Sequence, residues 1–405
     1  MAAIAAPARG SGSGVRAPDR PLRVLILHSR YLSGDLSGEN RVVADEARLL
    51  AEAGHAVSTL SPEPEVGSPL ERVRTAGRAL WASAAAADVR RTVAEWRPDV
   101  VHVHNVFPTL SPLVVREAAR HVPVVLTLHN YRQLCIAGTL VRDGRICESC
   151  VGRSPAQGVL HACYRGDPLA SLVVGTSIAL HRAAGSYAGV ALYLAVSEFV
   201  RSKHVEAGFP ARAILVKPNF AWPAARRTGP GGYFLFLGRL AREKGLGDLL
   251  AAWRTIEAPL VVAGDGPQRL ELEAAAPRNV GFRGSVSPDE VPGLLRGARA
   301  LVVPSRWYEG APRVVIEAYA AGVPVIASRL GGLAQTVDDG VSGVLVAPGD
   351  AGGWRRAVGR LEDDDEARRL GDGARRLWRE RYSPERALDA TVAAYHTALA
   401  ARGRA

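Results

Sequence analysis

The chain has 405 residues, 51 Lys and Arg against 40 Asp and Glu, and 47% hydrophobic side chains. This is globular composition, which excludes disordered, collagenous and mucin-like chains, and the length suits two domains with cores large enough to need no disulfides. The formal charge of +11 favours anionic partners, whether nucleotide, phosphate, nucleic acid or membrane surface, without choosing among them.

Residues 1–20 read as a flexible tail. The start, MAAIAAPARGSGSG, has no apolar run of 7–15 residues and so no secretory signal. Residues 22–27 (LRVLIL) predict a strand buried on both faces. A Gly/Ser-rich loop, 33–38, leads to a helix over 40–53 that stops at Gly54. A strand over 57–60, a loop over 62–70 and an Ala/Arg-rich helical stretch over 70–96 follow. Strands over 100–103 and 124–128 flank a helix over 112–120, and another strand covers 192–196. The apolar stretch 169–194 is broken by His181 and Arg182, so no run reaches the length of a membrane span. A cytoplasmic protein is expected.

Residues 217–232 (KPNFAWPAARRTGPGG) are rich in Pro, Gly and Arg. They predict a linker over 221–232 between a first lobe, 21–220, and a second, 233–383. Strands in the second lobe are predicted over 233–237, 260–263, 280–283, 300–304, 324–327 and 344–346. Ser287-Pro288-Asp289-Glu290 predicts a helix over 288–297 with a serine N-cap, proline at the first helical position and a capping-box glutamate. Two series of alternating strands and helices give an α/β fold, with two doubly wound lobes facing a cleft.

Open parallel sheets bind ligands beyond the carboxyl ends of their strands. In the first lobe those ends are His28 with loop 33–38, then His102, His104 and Asn105, then His129 and Asn130. In the second they are Gly238-Arg239, Gly264-Asp265-Gly266, residues 304–309 and residues 328–332. Loop 33–38 lacks GxGxxG, so the dinucleotide fingerprint is missing. Arg239 and Lys244 put two cations between a strand end and a helix start, where a diphosphate needs a planar fork and a point charge. Only three lysines occur, Lys203, Lys217 and Lys244, so one inside a motif stands out. Glu309 lies at the entrance of a helix over 314–321, where the dipole favours its charge, and Glu317 lies one turn inside. Carboxylates there suit sugar hydroxyls; a capping and a surface glutamate are the plain alternative. Gly331-Gly332 opens a helix with no side chain in the way of a phosphate. His129 ends an apolar strand. His102 and His104 share one strand face, and with no carboxylate following them in sequence they read as structural.

All four cysteines fall in one segment: Cys135, Cys147, Cys150 and Cys163. A Cys-x2-Cys pair with two outliers supplies four soft ligands for one tetrahedral ion, structural zinc first. An iron–sulfur cluster, free or redox-active thiols, and disulfides are the alternatives. Disulfides are disfavoured in a reducing cytosol. A closed all-cysteine set would not be catalytic.

The segments GRLAREKG, AGDGP, GFRG, ALVVPSRWYEGAPRVVIEAYAAGVPVIASRLGG and DGVSGVLVAPGD closely resemble the nucleotide-sugar lobe of family-4 retaining glycosyltransferases. Glu309-x7-Glu317 matches that family's paired-glutamate motif. SGEN, VVHVHN and TLHNYR resemble its first lobe. The double-glycine loop is only partly present, since Ser37 precedes Gly38, and Ala311-Pro312 replaces the usual Phe-Gly. The cysteine segment is similar to one in a subset of these enzymes linked to envelope or exported polysaccharides.

The resemblance implies a GT-B fold with the donor in the second lobe, the acceptor on the first, and a last helix, 384–401, crossing back to the first. Arg239 and Lys244 would hold the donor diphosphate. Gly38, Gly331 and Gly332 would offer it backbone N–H groups, and Gly238, Gly264 and Gly310 would line the nucleotide-sugar site. Glu309 would bind donor-sugar hydroxyls, Glu317 the ribose, and His129 the sugar near the reacting carbon. No metal cofactor is then expected for catalysis. The expected partners are a nucleoside-diphosphate sugar, a glycan or lipid-linked acceptor, and the inner membrane surface, with no nucleic acid. Two rival readings are a nucleotide-sugar epimerase of the same fold and a basic, metal-stapled nucleic-acid binder. The second lacks any basic run with interleaved aromatics.

Overall fold

The structure, a computed structural model, describes residues 2–3, 20–31, 37–64 and 68–403. Most of the expected tail and most of loop 33–38 lie outside the described residues. The first lobe is built on a sheet whose parallel strands run in the spatial order Ala56–Leu60, Arg23–His28, Val100–Asn105, Val124–Leu128, Val190–Ala195, Ile214–Val216. Ala2 and Ala3 pair antiparallel with Thr59 and Ser58 at its edge. The second lobe repeats the plan with all strands parallel: Val280–Gly284, Leu260–Ala263, Tyr233–Leu237, Ala298–Val303, Val325–Ser328, Gly343–Val346. In the first sheet Arg23–His28 lies between Ala56–Leu60 and Val100–Asn105, and in the second Tyr233–Leu237 lies between Leu260–Ala263 and Ala298–Val303. That reversal makes the topological switch point of a doubly wound fold. The two lobes together are a GT-B architecture.

Each sheet is covered on both faces, which is why its strands read as nearly continuous apolar runs. Leu25, Leu27, Val101 and Val103 face one core of the first lobe, and Val24, Ile26 and Val100 face the other. The second core is completed by Ala387, Leu388, Ala394, Tyr395 and Ala398 of the C-terminal helix Pro384–Arg402. That helix starts at Ser383, whose side chain accepts from the Arg386 N–H, with Pro384 at the first turn. At about 1.5–3 kcal/mol per fully buried large apolar side chain, this packing holds the chain's last helix on its first lobe.

Two expectations need correction. The helical stretch 70–96 is two helices, Pro69–Leu80 and Ser83–Trp96. Trp81 leaves helical geometry to stack on His181, with ring centroids 5.2 Å apart, and the Ala82 N–H donates to Ser111 Oγ. These tertiary contacts override a helical sequence. The helix expected over 288–297 begins only at Val291. The Glu290 carboxylate accepts from the Ser287 N–H at 2.7 Å, but the Ser287 hydroxyl caps nothing, so only half of the box forms and it closes a turn. The stretch 169–194 divides into helix Pro168–Ala183, capped by Asp167, and strand Val190–Ala195. No helix among the described residues is long and apolar enough to cross a membrane.

Candidate active site

The carboxyl ends of the second sheet converge because glycines let backbones touch. A Cβ on Gly264, at φ 140°, would lie 1.9 Å from the Gly238 carbonyl oxygen, and one on Gly245, at φ 71°, would lie 2.0 Å from that of Pro304. Gly245 ends the short turn Arg242–Lys244 and starts helix Leu246–Trp253, which fixes where Lys244 stands. Lys244 Nζ donates to Glu309 Oε1 at 2.7 Å and lies 5.1 Å from the Trp307 ring centre. The Ser305 hydroxyl donates to the same oxygen at 2.7 Å. Glu309 is thus buried and paired, with Oε1 carrying both bonds. Its partners are Lys244 and Ser305 rather than helix N–H groups, because the following helix starts only at Arg313. Arg239 is exposed, and its guanidinium has no partner among the described residues.

The two glycines of the pair differ in what their N–H groups do. Gly332 packs so closely that a Cβ would sit 1.9 Å from the Gly310 carbonyl oxygen, and its N–H donates to the Glu309 carbonyl at 2.8 Å. That N–H is bonded within the protein. The helix after it, Leu333–Thr336, is a single turn with little dipole. Gly331, at φ 56°, keeps its N–H without a partner among the described residues. Glu317 accepts from Arg313 Nε at 2.7 Å, and Arg313 also pairs across the cleft with Asp45.

The first lobe meets this loop directly. A Cβ on Gly310 would stand 3.3 Å from the His129 carbonyl oxygen, Val196 and Val200, and Asn219 Nδ2 donates to the Ala311 carbonyl at 3.0 Å. The fold thereby brings His129, Lys244, Glu309 and Gly310 to one place. His129 Nε2 lies 2.9 Å from His104 Nδ1. Burial, then the neighbouring His28, Lys217 and His102, hold the His129 pKa well below its usual value, so the ring is neutral. Gly38 opens helix Gly38–Glu52, and Ser37 is its N-cap, accepting from the Asn40 N–H. This cap explains the serine where the family's loop has glycine. Glu39, beside it, accepts from Asn130 Nδ2 at 3.1 Å and from the Tyr31 hydroxyl, and burial pushes its pKa up to about 7.

Behind His129 lies a polar core that sequence reasoning missed. Glu46, from helix Gly38–Glu52, is paired with Lys217, and their side chains are 1% and 4% exposed. Burial alone would raise the Glu46 pKa, but Lys217 and His102 overcome it and leave it lowered. His102 bonds Tyr395 Oη through Nδ1 and Thr127 Oγ1 through Nε2, each at 2.8 Å. A carboxylate therefore does meet His102 and His104, from a helix and not from their own strand. Glu46, His102 and His104 are the group among the described residues whose three donor atoms all lie within 4.8 Å of one another and could hold an ion. The Lys217 ammonium on Glu46 already supplies the positive charge there. The scarcity of lysine was the one sequence signal pointing to this cluster.

The four cysteines are free thiols lining one small pocket with Ile136 and Gly158. The hairpin Val141–Arg142/Arg145–Ile146 turns on Asp143 and Gly144, both at positive φ, and carries Cys147 back toward Cys135. No three of their sulfurs all lie within 4.8 Å of one another. Burial and the neighbouring thiols raise the pKa of Cys150 and of Cys163.

The sequence comparisons match this architecture lobe by lobe. Residues 37–219 match the Glycosyl transferase 4-like domain, and residues 231–364 match Glycosyl transferases group 1. A 2-deoxystreptamine N-acetyl-D-glucosaminyltransferase of Streptomyces fradiae is 31% identical over 341 residues, covering 77% of this chain and 73% of that protein. The chain belongs to this glycosyltransferase family. A glycogen synthase of Mycobacterium tuberculosis is 29% identical over 394 residues, covering 85% of this chain and 87% of that protein. Among solved structures, Anabaena Alr3699/HepE in complex with UDP and glucose aligns with a TM-score of 0.62 at 18% identity, over 92% of this chain and 99% of that one. AviGT4, a glycosyltransferase involved in avilamycin A biosynthesis, aligns with a TM-score of 0.59 at 21% identity, over 94% and 99%. The protein is a GT-B glycosyltransferase, an enzyme that moves a sugar from a nucleoside-diphosphate sugar to an acceptor.

Proposed function

We propose that this glycosyltransferase is a retaining enzyme that binds its donor on the second lobe and a glycan or lipid-linked acceptor on the first, in envelope or exported-polysaccharide synthesis. The observation that carries this reading is the Lys244–Glu309 pair, set beside the His129 backbone through Gly310. Negative charge builds on the departing diphosphate as the sugar becomes oxocarbenium-like. Lys244 and the exposed Arg239 supply positive charge where it develops, and the Gly331 N–H adds a donor. Catalysis then needs no divalent ion. Glu309 has Oε2 left to accept from a sugar hydroxyl, Glu317 takes the ribose, and neutral His129 lies against the sugar. Attack from the face of departure retains configuration without a protein nucleophile. The four cysteines take a structural zinc ion.

Contact with the cytoplasmic membrane face is supported by exposed apolar side chains beside arginines. Leu70, Val73, Leu160, Leu169 and Leu172 are each more than half exposed, and Leu70 and Val73 share their helix with Arg72 and Arg74. Their two longer helices pack together, with Ser177 Oγ donating to the Ala79 carbonyl. Co-sedimentation with phosphatidylglycerol vesicles at low salt is expected, and failure to pellet removes this part.

The test of the donor site is a thermal-shift panel of UDP, GDP, ADP and dTDP, each with and without EDTA. A ligand at about 100 times its Kd adds roughly 2.7 kcal/mol, a shift of several degrees. A base-selective, EDTA-insensitive shift is expected. No shift from any nucleotide removes the donor-site assignment. Donor consumption without an acceptor, with epimerised product, would favour the epimerase reading.

A further inference from the structure

The segment that carries the cysteines also carries Glu148, between Cys147 and Cys150. Lys203 Nζ, on helix Glu198–Glu206, lies 3.0 Å from the Glu148 carboxylate and is mostly buried. The same ammonium sits 5.7 Å from the Phe199 ring centre and 5.9 Å from that of Tyr308. Tyr308 belongs to the second lobe, one residue before Glu309. Its ring packs on Phe199 with centroids 4.6 Å apart, and its hydroxyl lies beside Glu148. One residue from the first lobe's cysteine pocket thus reaches, through Lys203 and Tyr308, the loop that presents Glu309. Phe199 adds a second crossing, its N–H donating to Gln335 Oε1 at 2.7 Å.

The pocket has the make-up of a soft-metal site. Four thiols from three separate turns line one pocket without a disulfide, each turn set by local backbone bonds: Cys135 N–H to the Tyr131 carbonyl, Cys147 N–H to that of Leu140, Cys163 N–H to that of Gly158. The Cys147–Cys150 turn is further held by the Val151 N–H on the Glu148 carbonyl at 3.0 Å and by Lys203 on the Glu148 carboxylate, and an ion would add its own bonds to these. Within it the Cys147 thiol donates to Ser149 Oγ at 3.4 Å. A tetrahedral ion with Zn–S bonds of about 2.3 Å would draw the four sulfurs together and fix Glu148 between two of its ligands.

We propose that the pocket binds one soft divalent ion of the zinc class, and that this ion fixes Glu148 as the first-lobe half of a latch on Lys203 and Tyr308 that sets how Glu309 and Lys244 approach His129. The ion touches no substrate; Glu148 and Tyr308 are positioning residues. This rests on the transferase reading above.

The test uses full-length protein purified without oxygen or chelator. Elemental analysis is expected to find about one zinc per chain, and cobalt exchanged into the site should give the absorption of a tetrahedral thiolate complex. Cysteine variants risk misfolding, so the latch is tested with Glu148→Gln and Tyr308→Phe, which leave every sulfur in place. Each should keep its zinc, its nucleotide-induced thermal shift and a nearly unchanged donor KM. Each should lose about 10- to 100-fold in kcat, the scale of misplacing reacting groups by an ångström or less. The double variant should be no worse than the more damaged single one, because both remove one connection. Glu206→Gln, which removes the other partner of Lys203 on its own helix, should keep kcat. Metal-free protein overturns the ion. Bound zinc with both single variants within twofold of wild type overturns the latch and leaves the ion. A wild-type protein that holds zinc but neither binds nor turns over a nucleoside-diphosphate sugar overturns the transferase reading and the latch with it.

Discussion

Lys217→Met should destabilise the first lobe far more than its size suggests. Lys217 and Glu46 are 4% and 1% exposed and pair with each other. Methionine preserves most of the packing but leaves a carboxylate buried beside His102, itself 0% exposed. Removing one partner of a buried pair costs about 3–5 kcal/mol. For a unit of roughly 200 residues, at about 2–4 °C per kcal/mol, the lobe's Tm should fall by about 6–20 °C. Glu46→Gln on top of Lys217→Met should recover most of the loss, since the stranded charge is gone. The pH dependence has a definite sign. In the wild type the Glu46 pKa is lowered, so its contribution is complete above the usual carboxylate range and lost only as pH falls through it. In Lys217→Met burial is no longer opposed by the ammonium and the pKa rises, so the deficit should be largest near pH 8 and shrink toward pH 5 as Glu46 takes up a proton. Differential scanning calorimetry of the three variants at those two pH values decides it. A single variant within about 0.5 kcal/mol of wild type, the range of ordinary surface substitutions, or a double variant as unstable as the single, would refute the reasoning.

Lys244→Ala should lose about 100- to 1,000-fold in turnover, the scale of removing one preorganised charge-stabilising donor, and steady-state kinetics with near-normal kcat would end that assignment. Gly332→Ala puts a Cβ 1.9 Å from the Gly310 carbonyl oxygen, so it should cost about 1–3 kcal/mol and weaken nucleotide binding, read by thermal shift and by titration with UDP. Glu39 has its pKa raised to about 7, so its ionisation opposes folding increasingly as pH rises from the unfolded value toward 7. The Tm of Glu39→Gln should therefore gain on wild type between pH 5 and pH 8, and a constant difference would argue against the shift.

The chain order of the longer strands, the two-lobed plan and the identities at the second-lobe strand ends were legible in the sequence, whereas strand Ile214–Val216 and the two-residue strands were not. Each rests on short-range information: apolar runs for strands buried on both faces, glycines where backbones must touch, and a lysine in a chain that has only three. Strands Val124–Leu128, Tyr233–Leu237 and Leu260–Ala263 fall where the apolar runs put them. What the tertiary structure alone decided is pairing between distant residues. Trp81 breaks a helical sequence because His181, a hundred residues on, offers a stacking partner. The Gly332 N–H goes to the Glu309 carbonyl because two loops meet there. His102 and His104 find their carboxylate in Glu46, their cation in Lys217 and a hydroxyl in Tyr395, 293 residues from His102. Burying polar groups requires partners at hydrogen-bond distance, and sequence spacing carries no information on which distant segment supplies them.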